Sequence, residues 1–264
     1  MTYCLAIRVN EGLVFGSDTR TTASVDDVRV YNKSHAFDFP GERVLVMLSA
    51  GNLATTQALV QRLDFDVSSG APTNLRNARS LFAAAEYVGA TSVGITRSIM
   101  QLSQSTADFR TSLILGGQIK GQEPEIYMIY PEGNCISSSA ETPFLQIGET
   151  KYGKPILDRV IRPDVTLHDA ARCAFVSLDA TMKSNLSVGP PLDLTFLPRD
   201  TLKLTHVRLE VDTDFYRDTK DVWNQAQIAA LKALPRFPWE QQEPPPQAQQ
   251  QPPQSQQQPP PPRQ

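Results

Sequence analysis

The spacing of apolar residues changes in blocks along this chain, and that change limits the available folds more than any single motif. Strand-like alternation runs from Tyr3 to Val9, Asn10-Glu11-Gly12 breaks it, and it resumes from Leu13 to Asp18. After a polar loop come two more predicted strands, "VRVYNKSHAFDF" and "RVLVMLSAG", the second apolar enough to lie inside a covered sheet. Helical spacing then takes over, first from Asn52 to Leu63 and then through Leu81, Phe82, Ala85, Val88, Ile95 and Ile99. Strand signals return in "TSLILGGQI", "EIYMIY" and "FLQIGE". A short helix from Gly153 to Ile161 and a longer one carrying Leu167, Ala171, Ala174, Leu178 and Met182 on one face come next. "LDLTFL", "KLTHVRLEV" and a last helix in "FYRDTKDVWNQAQIAALKAL" close the pattern. Strands and helices come in groups rather than in strict alternation. The expected fold class is therefore α+β, with antiparallel sheets and helices segregated onto their outer faces.

The length of 264 residues with 40% apolar content suits one large domain, expected over residues 1–239. From Glu240 a Gln/Pro tract has no apolar face to bury, so residues 240–264 are expected to form a disordered tail, either passive or read by a proline-recognising partner. A net charge of −3 argues against nucleic acid or an anionic membrane as partner. Cys4, Cys135 and Cys173 lack disulfide or zinc spacing and read as reduced thiols. No leader pattern and no membrane-length apolar run is present, which makes the cytoplasm the expected location. His35, His168 and His206 stand apart from one another and from the cysteines, so neither a metal nor another cofactor is expected. The glycines of "GGQIKG" lack the ending of a phosphate loop, and no G-x-S-x-G elbow occurs.

What remains is the start, "MTYCLAIRV". A threonine hydroxyl is a poor nucleophile without a base, and the α-amine of an N-terminal threonine, with an ordinary pKa of about 7.7–8.0, can serve as one. Removal of Met1, which aminopeptidases perform when the next residue is small, would expose Thr2 without a propeptide. Lys33 offers an ammonium that would lower the amine's pKa, and Asp18, ending the second strand in "GSDTR", offers a carboxylate to hold Lys33. Lys33 is expected on the third strand; a plain salt bridge between strands is the competing reading. Gly51, in "LSAGN" at a strand-to-helix transition, is a candidate oxyanion donor or a simple turn residue.

Met-Thr with a short strand, "VFGSDTRTT", the lysine of "YNKSHAF" and "LSAGNLATTQAL" together resemble the β-type subunits of the proteasome superfamily, closest to the bacterial Anbu (ancestral β-subunit) branch. The resemblance extends over most of residues 2–235, including "QIGETKYGKPILDR" and "KSNLSVGPPLDL", and leaves the tail outside. It implies an N-terminal-nucleophile hydrolase fold, a four-layer αββα sandwich of two antiparallel sheets. It also implies a threonine peptidase: Thr2 attacks, its amine is the base, Lys33 and Asp18 tune that amine, and Gly51 holds the oxyanion. By the same comparison Thr22 and Gly51 would bind substrate backbone, Ser49 would shape the side-chain pocket, and Arg20 would support its loop. The partners implied are a peptide or related amide substrate and further copies of the chain in a ring or spiral; an ATPase partner is not established for this branch. The sequence departs from the family where "SNLSVG" puts Ser184 in place of an aspartate, with Ser187 matching a serine. Glu149 or Thr150 is a candidate to compensate. Two alternatives follow: a catalytically weak assembly protein, or an amidohydrolase narrowed to small amides.

Overall fold

The computed structural model describes residues 1–24, 27–102 and 106–240, with the side chains of residues 22–24 and 27–28 outside the description. The elements run β1 (Tyr3–Val9), β2 (Gly12–Asp18), β3 (Arg20–Ser24), β4 (Asp27–Val30), β5 (Ser34–Phe39), β6 (Arg43–Gly51), α1 (Leu53–Ser68) and α2 (Leu81–Leu102) in the first part of the chain. They continue with β7 (Thr111–Ile119), β8 (Glu125–Ile129), β9 (Cys135–Ser137), β10 (Phe144–Gly148), α3 (Lys154–Val160), α4 (Leu167–Ser184), β11 (Leu192–Pro198), β12 (Thr205–Leu209) and α5 (Asp214–Lys232).

Two five-stranded antiparallel sheets carry the architecture, in the orders β10-β1-β2-β11-β12 and β5-β6-β7-β8-β9, beside a small β3-β4 ribbon. The side-chain period of a strand explains how they stack. On β1, Tyr3, Leu5, Ile7 and Val9 enter a core shared with α3 and α4, while Cys4 and Ala6 face a second core between the sheets. On β6, Val44, Val46, Leu48 and Ala50 meet that same central core, and Leu45 and Met47 pack under α1 and α2. Both faces of each strand are thus covered, which is why these stretches read as nearly unbroken apolar runs. The result is the αββα sandwich.

The chain divides into two compact units, Met1–Trp223 and the residues from Asn224 onward. In the described part of the second, Phe237 stacks on Trp239 with centroids 4.4 Å apart. The expected tail beyond Glu240 lies outside the described residues.

Local chemistry sets the element ends. Asn52 caps α1, its side chain accepting from the Thr55 N–H at 3.1 Å, and Thr166 caps α4 through the Asp169 N–H at 3.1 Å. Several expectations need correction. The single strand expected across residues 28–39 is two, β4 and β5, separated by residues 31–33, so Lys33 sits in the connecting segment rather than on a strand. The expected polar loop after Asp18 contains β3, and the short β9 escaped the sequence pattern altogether. Helix α1 continues to Ser68, beyond Leu63.

Candidate active site

The start of β1, the end of β6 and the segment before β5 meet around one cavity of about 570 Å³. Thr2, Lys33, Ser49 and Gly51 all line it. Thr2 directly precedes β1, and its carbonyl accepts the Glu149 N–H at 2.7 Å. Only glycine permits this approach: Gly148 has φ +84°, and a Cβ there would lie 1.9 Å from the Thr2 carbonyl oxygen. Met1 is exposed. Its α-amine titrates below the ordinary α-amine range because burial disfavours the charge and the Lys33 ammonium repels it, while Asp18 and Glu149 pull the other way.

Asp18 is the organising group. Fully buried at the end of β2, its carboxylate accepts from Lys33 Nζ at 2.7 Å, from the Tyr3 N–H at 3.0 Å and from the Gly189 N–H at 3.1 Å. Burial pushes its pKa upward, and the Lys33 ammonium with the two N–H groups opposes the rise. Lys33, 5% exposed, gives a second hydrogen bond to the Arg20 carbonyl at 2.6 Å. The pair does not join neighbouring strands, because Asp18 belongs to the sheet of β1 and Lys33 leads into the sheet of β5. The Lys33 carbonyl in turn accepts the Ser49 N–H at 3.0 Å, which fixes the loop against β6.

Gly51 ends β6 with φ +127°, and a Cβ there would stand 2.5 Å from the Arg110 carbonyl oxygen. Neither the conformation nor the space admits another residue. Asn52 and α1 follow at once, so the positive end of a helix of 16 residues starts beside this glycine. Arg20 packs over Gly189 and donates to the Leu186 carbonyl at 2.7 Å, holding the turn that delivers the Gly189 N–H to Asp18. Thr22 belongs to β3, but its side chain is outside the description; its neighbour Thr21 lines the cavity.

Ser184 is exposed at the end of α4, and Ser187 hydrogen-bonds to Asn185 Oδ1 at 2.6 Å. Neither lines the cavity. In their place the structure brings forward a pair that the sequence reading missed in part: Asn185 Nδ2 donates to Glu149 Oε2 at 3.0 Å, and Glu149 is buried. Glu149 thereby joins Asp18 as a carboxylate whose charge acts on the N-terminal amine. The signal for Asn185 was available, since it adjoins Ser184 in "SNLSVG" and ends α4 as its C-cap. Thr150 accepts the Lys154 N–H through its carbonyl, a helix-start contact.

His35 does not have all its hydrogen bonds satisfied: its Nε2 is buried without a partner among the described residues. The three cysteines are free. Among the described residues no group of three or more His, Cys, Asp and Glu could hold a metal ion, and no helix is long and apolar enough to cross a membrane.

A sandwich of two antiparallel sheets with a buried Asp–Lys pair beside the N-terminal residues defines the class, and comparison with known proteins agrees. Residues 2–195 match the sequence profile described as proteasome subunit, and the chain belongs to that family. It is 23% identical to proteasome subunit beta 2 of Pyrobaculum calidifontis over 208 residues, 78% of this chain and 94% of the relative. Solved structures narrow the assignment. The chain is 42% identical to Anbu (ancestral β-subunit) from Yersinia bercovieri, with a TM-score of 0.84 over 89% of this chain and 99% of that one. It is 45% identical to Anbu from Hyphomicrobium sp. strain MC1, with a TM-score of 0.81 over 89% and 99% of the two chains. A third, the helical assembly of the Anbu complex from Pseudomonas aeruginosa, is 41% identical with a TM-score of 0.83 over 90% and 98%. Within the proteasome family, the chain is of the Anbu branch.

Proposed function

We propose that this protein is a self-assembling threonine hydrolase that cleaves peptide or related amide bonds through Thr2 after Met1 is removed. The observation that carries the reading is the buried Lys33–Asp18 pair in the wall of the cavity that Thr2 lines, at 2.7 Å. The Thr2 hydroxyl attacks the scissile carbonyl carbon while the free α-amine takes its proton. That amine must be neutral to do so, and the same burial and the same ammonium that lower the pKa at Met1 act on Thr2's amine once Met1 leaves. The Gly51 N–H receives the developing oxyanion, with the start of α1 adding favourable potential. The α-ammonium so formed on Thr2 then protonates the departing amine, leaving an ester on Thr2 that water hydrolyses by the same steps. Glu149, held by Asn185, replaces the family aspartate as the carboxylate near the amine.

Assembly into a ring or spiral of identical subunits is part of the proposal. The helical assembly of the Pseudomonas relative supports it, as do the exposed apolar residues Val222, Ile228 and Leu231 on α5. Three free cysteines suit a reducing cytoplasm.

The test is the intact mass of the purified protein before and after exposure to a peptide epoxyketone, which needs both a hydroxyl and a free amine, with sedimentation of the same sample. Loss of Met1 and a single adduct absent from Thr2→Ala are expected, on a particle of many subunits. Retained Met1 and no adduct would overturn the hydrolase reading and leave an assembly protein.

A further inference from the structure

Among the cavity-lining residues that the proposed chemistry does not use, one is an amide held in a fixed sense. Asn32 precedes Lys33, is exposed and lines the cavity. Its side-chain oxygen accepts from Arg208 Nη2 at 2.8 Å. Because a guanidinium can only donate, this contact settles which end of the amide is which. The oxygen is occupied, and the –NH2 group has no hydrogen-bond partner among the described residues. The anchor is firm. Arg208 on β12 stands directly opposite Asp193 on β11 and binds its carboxylate through two contacts, at 2.8 and 2.9 Å. Asp193 is only 2% exposed. A buried carboxylate therefore fixes the fork, the fork fixes the amide oxygen, and the donor of this cavity-lining residue is left free.

The other charged groups on the wall are committed elsewhere. Lys33 is neutralised by Asp18, and Arg110 pairs with Asp108 through bonds at 3.0 and 3.1 Å. Each of these charged side chains on the wall is therefore already paired with an opposite charge. What the wall offers is an oriented neutral donor.

We infer that Asn32 determines specificity: its –NH2 group selects substrates whose residue before the scissile bond carries a neutral side-chain carbonyl, a carboxamide such as glutamine. Arg208 and Asp193 are positioning residues that hold Asn32 in this sense. The inference rests on the hydrolase reading for the ligand being a peptide, but not on whether a bond is cut.

Binding to the full-length Thr2→Ala protein separates the two. Three peptides identical except for glutamine, norleucine or glutamate at that position are titrated by calorimetry. Glutamine is expected to bind roughly five- to tenfold more tightly than norleucine, the scale of one net hydrogen bond, and more tightly than glutamate. Adding Asn32→Asp keeps an oxygen for Arg208 and replaces the donor with a negatively charged acceptor, so the anchor is kept and the preference for glutamine over norleucine should fall to one or below. Arg208→Ala frees the amide to rotate and should lower the preference without abolishing binding of norleucine. Equal affinity for the glutamine and norleucine peptides, tighter binding of glutamate, or a preference that survives Asn32→Asp overturns the inference. Asn32→Asp weakening all three peptides equally would assign the amide to substrate backbone and overturn it as well. A glutamine preference that depends on Asn32, in a protein that forms no epoxyketone adduct, upholds this inference while the hydrolase reading fails.

Discussion

At the scale of single residues, the site depends on one ammonium placed to act on one amine. Lys33 gives two short hydrogen bonds, to Asp18 and to the Arg20 carbonyl, and its charge lowers the pKa of the N-terminal amine. The sign for activity follows. In the proposed mechanism the neutral amine is the base, so the rate should rise with pH through a pKa below the ordinary α-amine range of about 7.7–8.0 and then level off. In Lys33→Ala that rise should move upward, since the ammonium is gone and the carboxylates that favour the charged amine remain. Epoxyketone inactivation rates from pH 5.5 to 9 read this directly; an unmoved profile would show that Lys33 does not tune the base. The gathering of Thr2, Lys33, Ser49 and Gly51 at one cavity, with Asp18 behind Lys33, could be anticipated because each belongs to a local stretch with recognisable neighbours. The pairing of Asn185 with Glu149 and of Asn32 with Arg208 could not be, because those partners lie 36 and 176 positions away, even though Asn185 itself lies in the "SNLSVG" stretch. No local pattern carries such a pairing.

At the scale of elements, legibility followed burial. Strands β1, β2, β6 and β7, buried almost throughout, stood out from the sequence, whereas β3 is polar and β9 is only three residues long, too short for a pattern to show. The extra turn of α1 was invisible for a similar reason. Asp66 there accepts from Arg62 Nε at 2.9 Å and from the Tyr87 hydroxyl at 2.6 Å, a tertiary contact with α2. Strand β5 also carries a titratable liability. Burial holds the His35 pKa below its ordinary 6.5, with Asp64 of α1 partly opposing. A folded pKa below the unfolded one means this group's contribution to stability is complete above about pH 6.5 and is lost as pH falls through the folded value. Urea unfolding at pH 7.5 and 5.5 should therefore show a larger drop for the wild type than for His35→Phe. Equal drops would show that the ring is not buried neutral.

At the scale of the whole molecule, the three hydrogen bonds to Asp18 have a consequence for when the protein becomes active. They come from the first strand, from the segment before β5 and from the turn after α4, parts of the chain up to 171 residues apart. A chain in which any one of these segments is not yet docked lacks at least one of the three. During refolding from denaturant, epoxyketone reactivity should therefore appear only with the slowest phase seen by circular dichroism; reactivity ahead of that phase would refute the point. A nascent chain that can cut peptides is a hazard to its own unfolded siblings on the ribosome. On the proposed hydrolase reading, the cutting edge is then the last thing made, and the fold itself acts as the safety catch.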